Sequence, residues 1–400
     1  MEYDDLLKLE KEYGESFYLS DRGLFRKNLI EMRDAFRKYY EKTNIAYSFK
    51  TNYMPAICEI VREEAAYAEV VSEMEYELAK RIGFPDNEIY YNGPYKKKHF
   101  VLDMLKHGVR INIDNWQEYE MVLEGAKVCP VQIGIRCNFD IGNGKISRFG
   151  FDVDGKEFYQ VLEGIKGQEN ISLIGLQCHF PDRDLNLYAN RVKGMKRVMD
   201  VLGDVELGYI SFGGGYFGKL PEGFQKSFSV PVPTYVDYAK VVAGEMGEYF
   251  AQRNIQPELL IEPGSAIVAD TMDFVSKVIA VKEVRGRAIA ALSGSCYNIN
   301  PSAKGMNRPI TVLHCPDREG DVRDWDMAGY TCIEDDIMHH GYRGALCVGD
   351  YVVFHNVGSY GLVFKPPFIL PNVPVLDISK EQVEVLRREE EFQDIFGAFF

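Results

Sequence analysis

The sequence predicts an α/β chain in which a (β/α)8 barrel of the TIM type is joined to an all-β, barrel-like domain. Two patterns support this prediction. In residues 23–264, short apolar runs rich in Val, Ile and Tyr alternate with stretches whose apolar positions recur every three or four residues, as in amphipathic helices. After residue 265, apolar and polar residues instead alternate with period two within segments that Gly and Pro separate. This pattern is typical of β-strands.

Eight strand patterns alternate with helical patterns in the first part, which is the order that a (β/α)8 barrel requires. A doubly wound open sheet is the alternative, but it usually has fewer strands and a Gly-rich first turn. No GxGxxG follows the first predicted strand, so the barrel is favoured. The predicted strands are 44–50, 68–72, 89–93, 110–114, 131–138, 173–180, 209–214 and 259–264.

The second domain is predicted to combine residues 265–400 with residues 1–22. The N-terminal segment ESFYLSD (15–21) resembles a strand and could join the sheet of this domain. The charged tail at 386–393 is interpreted as a solvated helix. The strand-like segments of this domain are 274–286, 287–295, 308–314, 350–358 and 374–380.

The net charge of −14 argues against a nucleic-acid-binding protein, which would normally have a basic face. The lysine run at 96–98 is interpreted as solvated helix surface. No apolar run is long enough to cross a bilayer, and the N-terminus is acidic, so neither a membrane span nor export is expected. The eight cysteines form no CxxC pair and are interpreted as reduced thiols of a cytoplasmic protein.

Four polar or glycine-rich positions lie where predicted barrel strands end, the face on which barrel enzymes carry their active sites. The first strand ends in Lys50, the sixth in His179, the seventh in Gly213, Gly214 and Gly215, and the eighth in Glu262. An enclosed lysine can form an imine with an aldehyde cofactor, and successive glycine N–H groups can bind a phosphate. A carboxylate can keep a pyridine nitrogen protonated, and a flat imidazole can lie over the ring.

The order and spacing of eight motifs resemble those of the fold-type III pyridoxal-phosphate decarboxylases. This family includes the diaminopimelate decarboxylases and the eukaryotic-type ornithine decarboxylases. The motifs cover nearly the whole chain: YSFKTN (47–52), EVVSEMEY (69–76), SRFGFD (147–152), GLQCHF (175–180), FGGGYFG (212–218), EPGSAIVA (262–269), YTCIEDD (330–336) and GDYVVFHNVGSYG (349–361).

The resemblance implies that the cofactor is pyridoxal 5′-phosphate and that Lys50 carries it. It further implies that His179 stacks on the ring and that Glu262 pairs with the ring nitrogen. The phosphate would be held by Gly213, Gly214 and Gly215, with Gly264 and Tyr360 completing the site.

The resemblance also implies a homodimer with shared active sites. In that arrangement Cys332 would reach the site of the second copy and help to protonate the product after carbon dioxide leaves. Asp336 closes the same motif and would support Cys332 in this catalytic role. On its own, Cys332 could equally be a small buried residue.

Three departures from the family pattern concern the substrate. The family usually has Glu-Pro-Gly-Arg, whose arginine binds anionic groups, but Ser265 stands here. An acidic residue usually follows the motif cysteine and grips a distal amine, but Ile333 stands here. The family's His-X-Gly-Ser turn, which helps to hold the phosphate, has become His-Phe-Pro-Asp at 179–182.

These departures predict a substrate other than diaminopimelate or ornithine, either another amino acid or a larger conjugate, as in siderophore or other specialised metabolism. Candidate substrate-binding residues are Arg308, Tyr297, Asn298 and Glu334, although the first three could instead be polar loop residues of the β domain.

Three alternatives stay open. An amino-acid racemase would share the barrel and cofactor, but such racemases place an arginine at the ring nitrogen. A non-catalytic cofactor carrier would consist of the barrel alone and would lack the β-rich segment 265–400. An inactive pyridoxal-phosphate-binding homologue would explain Ser265 and Ile333.

The adjacent histidines His339 and His340 would face opposite ways on a strand, so no metal is predicted.

Overall fold

The computed structural model describes residues 1–299, 305–316 and 320–400. Within these residues the chain divides into two compact units, each built around a nine-stranded sheet. The barrel unit comprises Arg26–Lys219 and Ser229–Ile267, and the β unit comprises Met1–Phe25, Leu220–Phe228 and Val268–Phe400.

The barrel unit contains a closed ring of eight parallel strands, which confirms the predicted fold class. Pairing of the first strand with the eighth, and of the fourth with the fifth, closes the ring. A ninth short strand, Phe151–Asp152, pairs with the end of the fifth. In chain order the barrel strands are Thr43–Ser48, Tyr67–Val70, Ile89–Tyr91, Arg110–Ile113, Val131–Asn138, Ile171–Phe180, Tyr209–Gly214 and Glu258–Glu262.

Helices connect these strands, and local sequence sets their ends. Ser72 caps the helix Glu73–Ile82, since its Oγ accepts a hydrogen bond from the Glu75 N–H at 3.2 Å. The same helix ends at Gly83, which has a φ of 98° that glycine adopts without strain. The other helices from Arg22 to Val268 are Arg22–Arg37, Pro55–Glu63, Lys98–His107, Trp116–Ala126, Lys156–Lys166, Leu185–Leu202, Glu222–Gln225, Tyr235–Ala239, Lys240–Gly244, Glu245–Arg253 and Ser265–Val268.

Tyr209 fills the interior of the barrel. Its ring packs with Ala46, Tyr90 and Leu260 in one buried cluster, edge-on to the Tyr90 ring. On two neighbouring strands, glycines leave the space for this ring, because a Cβ at Gly134 or Gly175 would collide with Tyr209. Packed side chains therefore fill the interior of the barrel.

The β unit contains nine strands among the described residues. The N-terminal strand Ser16–Ser20 pairs antiparallel with Met272–Val284 and parallel with Val375–Asp377. The expectation that the segment at 15–21 joins this sheet is therefore confirmed. The remaining strands are Arg287–Leu292, Ile310–Leu313, Val322–Ala328, Ile337–Ala345, Tyr351–Phe354 and Glu384–Arg387, and further helices are Tyr3–Tyr13, Cys296–Ile299, Gly361–Phe364 and Phe392–Phe396.

Two expectations about charged segments were wrong. The tail at 386–393 is not one helix, since Glu384–Arg387 is a strand that pairs with Val375–Asp377. Lys96 is not solvated surface but 6% exposed, and its Nζ donates to Glu118 Oε2 at 2.8 Å and to the Gly93 carbonyl at 2.6 Å. Lys96 is buried because a buried carboxylate neutralises it.

No helix in the described part of the chain combines the length and the apolar character that a bilayer span requires.

Candidate active site

Lys50 lies at the carboxyl end of the first barrel strand, in the short 3-10 turn Phe49–Thr51. Its Nζ forms an ion pair with Glu69 Oε2, from the second strand, and lies 3.4 Å from Ser48 Oγ. The Glu69 side chain is 1% exposed, whereas that of Lys50 is 29% exposed. The amine is therefore accessible to a ligand, while its counter-ion is buried.

Glu262 ends the eighth strand and is buried among hydrogen-bond donors. It accepts hydrogen bonds from Ser211 Oγ at 2.6 Å, Gln177 Nε2 at 3.0 Å and Asn92 Nδ2 at 3.1 Å. Burial raises the pKa of Glu262, but hydrogen bonding from His179 and Ser211 and the positive charge of Lys50 outweigh it and hold the pKa below its usual value. Glu262 is therefore an ionised carboxylate at neutral pH.

One amide links the two carboxylates. Asn92 Nδ2 donates to Glu69 Oε1 at 3.2 Å as well as to Glu262. Asn92 Oδ1 accepts from Asn112 Nδ2 at 2.7 Å, and Asn112 Oδ1 accepts from the Tyr209 hydroxyl at 2.7 Å. A continuous polar network thus runs from Lys50 through Glu69 and Asn92 to Glu262.

His179 lies on the sixth strand, with Nδ1 3.5 Å from Glu262 Oε2. Burial, together with the positive charges of Lys50 and Arg136, lowers the pKa of His179 below its usual value despite the contact with Glu262. The imidazole is therefore neutral at pH 7.

The glycines of the seventh strand are needed because other groups approach them closely. A Cβ at Gly213 would collide with Glu262 Oε2 and His179 Nδ1, and a Cβ at Gly214 or Gly215 would collide with a carbonyl of the segment 180–181. Gly264, after the eighth strand, likewise leaves room for Thr51 Oγ1. The structure therefore brings Lys50, His179, Gly213, Gly214, Gly215, Glu262 and Gly264 to one end of the barrel.

The structure gives the surroundings of the three positions at which the chain departs from the family pattern. Asn143 Nδ2 donates to Asp182 Oδ2 at 2.9 Å, so this carboxylate is held by the loop after the fifth strand. Ser265 opens the short helix Ser265–Val268. Ile333 is 37% exposed in the β unit.

In the β unit, Cys332 is exposed and borders a cavity of about 300 Å³ together with Ile333 and Glu334. Asp336 is 2% exposed, and its carboxylate accepts hydrogen bonds from Ser295 Oγ, Cys296 N, Thr331 N and Thr331 Oγ1 at 2.6–3.1 Å. Asp336 therefore fixes the loop that carries Cys332.

The other candidate residues of the β unit have varied surroundings. Asn298 is 1% exposed, and its carbonyl accepts a hydrogen bond from the Tyr18 hydroxyl at 2.8 Å, which places it in the interior of this unit. The Arg308 guanidinium lies 5.7 Å from the Phe224 ring. Tyr297 is half-buried in the helix Cys296–Ile299.

Tyr360 has a φ of 64° and stacks on Phe364 with 5.4 Å between ring centroids. His340 Nδ1 lies 3.6 Å from Asp326 Oδ1. Among the described residues, no three His, Cys, Asp or Glu side chains lie within reach of one metal ion.

The sequence reasoning missed Glu69, Asn92, Gln177 and Ser211. A usable pattern exists for all four, because each is a polar residue within or directly after an apolar barrel strand. Such a residue points either into the barrel or toward the catalytic face, and in both places it needs a polar partner.

The family model for the pyridoxal-dependent decarboxylases, pyridoxal binding domain, matches residues 26–269. The diaminopimelate decarboxylase of Archaeoglobus fulgidus is 26% identical, over 97% of this chain and 93% of its own. The probable chloroplastic diaminopimelate decarboxylase of Oryza sativa subsp. japonica is 27% identical, over 96% of this chain and 79% of its own.

Solved structures show the same fold. The diaminopimelate decarboxylase of M. jannaschii, in complex with L-lysine, superposes with a TM-score of 0.87 at 22% identity, covering 99% of this chain and 94% of its own. The arginine decarboxylase of Paramecium bursaria Chlorella virus superposes with a TM-score of 0.76 at 20% identity, covering 94% and 99%. The resemblance inferred from the motifs is confirmed. The chain belongs to the pyridoxal-dependent decarboxylases and is a carboxy-lyase that uses pyridoxal phosphate to decarboxylate an amino-acid substrate.

Proposed function

We propose that residues 23–264 form the cofactor-binding barrel and that Lys50 is the residue to which pyridoxal phosphate is attached. The observation that carries this proposal is the polar network that joins the Lys50 amine, through Glu69 and Asn92, to the ionised Glu262. It provides an amine and an ionised carboxylate at the same end of the barrel, where one cofactor could meet the amine with its aldehyde and the carboxylate with its ring nitrogen.

The cofactor, when bound, accepts the electron pair that the departing carbon dioxide leaves behind. Glu262 would keep the ring nitrogen protonated, because its own carboxylate stays ionised at neutral pH. The neutral His179 imidazole would lie against one face of the ring without adding charge. Gly213 leaves the space between these two side chains that a larger residue would fill.

Glu69 is the base that can take the proton of Lys50. Its carboxylate contacts Nζ directly, and Asn92 fixes its other oxygen. An amine must lose a proton before it can attack a carbonyl carbon, and a partner within hydrogen-bond reach can accept that proton. Replacing Lys50 with alanine should abolish the visible absorbance band of the lysine-bound cofactor and all turnover. A band that persists in this variant would contradict the assignment.

We further propose that the enzyme is a homodimer in which Cys332 protonates the product in the site of the second copy. Its exposure supports this, as does the fixed loop around Asp336. Complementation tests it. Mixing and reassociating Lys50→Ala and Cys332→Ser chains should restore about a quarter of wild-type activity, because half of the random dimers carry one intact site. No recovery would exclude shared sites, and Cys129→Ser should behave as wild type.

The substrate proposal follows from the two altered specificity positions. Relatives named as diaminopimelate decarboxylases match nearly the whole chain, but Ser265 and Ile333 lack the charges that the family uses there. We propose that the substrate is a different amino acid or a larger amino-acid conjugate. A mass-spectrometric screen for carbon dioxide loss would identify it, and turnover of diaminopimelate at rates usual for metabolic enzymes would refute the proposal.

A cytoplasmic location is also proposed. The buried thiols of Cys58, Cys137 and Cys178 lie outside any disulfide bond, as a reducing compartment favours. Cell fractionation followed by an activity assay tests this, and activity in an extracellular fraction would contradict it.

A further inference from the structure

The segment 180–184 follows the sixth strand and packs against the glycines of the seventh. The Gly215 N–H donates to the Phe180 carbonyl at 3.4 Å. A Cβ placed on Gly215 would lie 2.8 Å from Arg183 Cγ and 3.2 Å from Arg183 Nε. The Arg183 side chain therefore passes directly over the glycine turn, within the stretch where this chain departs from the family pattern.

Arg183 is held in place but its charge is not neutralised. The Tyr238 hydroxyl donates to the Arg183 carbonyl at 2.6 Å, and the guanidinium lies 5.1 Å from the Phe217 ring. Across residues 1–299, 305–316 and 320–400, no carboxylate forms an ion pair with Arg183. A half-buried guanidinium in this position is able to bind an anion.

Arg191 lies behind the same turn and is completely buried. Its Nη1 donates to the Gly213 carbonyl at 3.4 Å, and its Nη2 donates to the Asp182 carbonyl. Its guanidinium carbon lies 3.9 Å from the Tyr188 ring centroid, and its Nε has no hydrogen-bond partner in the described part of the chain. Arg191 thus ties the glycine turn to the segment 180–184 and adds a second positive charge.

Two positive charges next to one glycine turn call for an anionic ligand. A buried cation is costly unless a negative group compensates it, and the nearby Asp182 carboxylate is engaged by Asn143. The cofactor phosphate carries about −1.5 to −2 charge at pH 7. Arginine binds phosphate oxygens through paired N–H groups, which makes it well suited to this ligand.

We propose that Arg183 binds the phosphate of pyridoxal phosphate at the turn Gly213–Gly215 and that Arg191 positions this turn from its buried side. The positive charge that the family places after Glu-Pro-Gly, where this chain has Ser265, would then come from the segment after the sixth strand. This inference rests on the cofactor site proposed above.

The test compares two ligands that differ only in the phosphate. Apo-enzyme is titrated with pyridoxal phosphate and with pyridoxal, and the visible absorbance band gives a Kd for each. Arg183→Gln should raise the Kd for pyridoxal phosphate about 10- to 100-fold, as expected for loss of a charged hydrogen bond, and leave the Kd for pyridoxal unchanged. The Kd of Arg183→Lys for pyridoxal phosphate should lie between that of the wild type and that of Arg183→Gln. The control Lys193→Gln removes an exposed charge nearby and should change neither Kd.

Arg191→Lys keeps the charge and should retain part of the preference for the phosphorylated ligand, whereas Arg191→Met should lose it. If Arg191→Met does not fold, Arg183→Gln decides alone, because its side chain is only half-buried. An unchanged ratio of the two Kd values in Arg183→Gln overturns the inference but leaves the role of Lys50 intact. The absence of a band with either ligand in the wild type would instead overturn the proposed cofactor site.

Discussion

Replacing Glu262 with glutamine removes the charge of the side chain while keeping its shape. If this carboxylate keeps the ring nitrogen of the cofactor protonated, the variant should still bind the cofactor but decarboxylate slowly. A neutral amide cannot stabilise a protonated pyridine nitrogen as a carboxylate does.

The structure sets the magnitude of the effect. Glu262 is 1% exposed and accepts three hydrogen bonds, from Ser211, Gln177 and Asn92. Water therefore cannot reach this position and compensate for the loss of the negative charge. Removing one preorganised electrostatic group from such a site typically lowers kcat about 10²- to 10³-fold, or roughly 3–4 kcal/mol of barrier. We expect a loss of this size.

The assay is single-turnover release of carbon dioxide, with cofactor loading measured separately by absorbance. Glu258→Gln is the matched control, because Glu258 lies on the same strand at its opposite end and accepts a hydrogen bond from the Tyr67 hydroxyl at 2.9 Å. The control should keep the wild-type kcat. A kcat for Glu262→Gln within about fivefold of wild type, at full loading, would refute the assigned role.

Three further predictions concern stability and the site. Burial raises the pKa of Glu75 to about 7, so the folded protein loses stability as pH rises from about 4.5 to 7, where the unfolded chain is already ionised. Relative to wild type, the free energy of unfolding of Glu75→Gln should therefore rise by roughly 2.5 kcal/mol between pH 5 and pH 8, and an equal difference between the two proteins in urea unfolding at both pH values would contradict this. Lys96→Met leaves Glu118 buried without its cation and should lower the free energy of unfolding in urea by about 3–5 kcal/mol. Lys97→Met, at an exposed ion pair, should lower it by less than about 1 kcal/mol, and equal losses in the two variants would show that burial of the pair is irrelevant. Gly213→Ala should lower cofactor occupancy strongly because its Cβ meets Glu262 and His179, and full occupancy measured by absorbance would show that the space is not needed.

Much of the fold and part of the site could be predicted from sequence alone. The apolar strand pattern identified all eight barrel strands, and the rule that barrel sites lie at strand ends selected Lys50, His179 and Glu262, which the structure places together. These predictions succeed because strand periodicity and strand ends are local properties of the chain.

Pairings between distant residues could not be predicted in this way. Asn92 lies 170 residues from Glu262 and meets it only because the eighth strand closes on the first, and Glu69 is linked to Glu262 through Asn92. The lysines at 96 and 97 are identical in sequence terms, yet one is buried against Glu118 and the other is exposed. Which of two adjacent lysines finds a buried partner depends on the path of the backbone.

The packing of Tyr209 into the space left by Gly134 and Gly175 ties three positions on separate strands to one another. Enlarging Gly175 would require a smaller residue at 209, and enlarging Gly134 would in addition displace the Asn112 side chain. Shrinking Tyr209 would leave a void in the buried cluster and remove the hydroxyl that donates to Asn112 Oδ1. In homologous sequences these positions should therefore vary as a set, and a chain that keeps the glycines without the large ring should bind its coenzyme less rigidly.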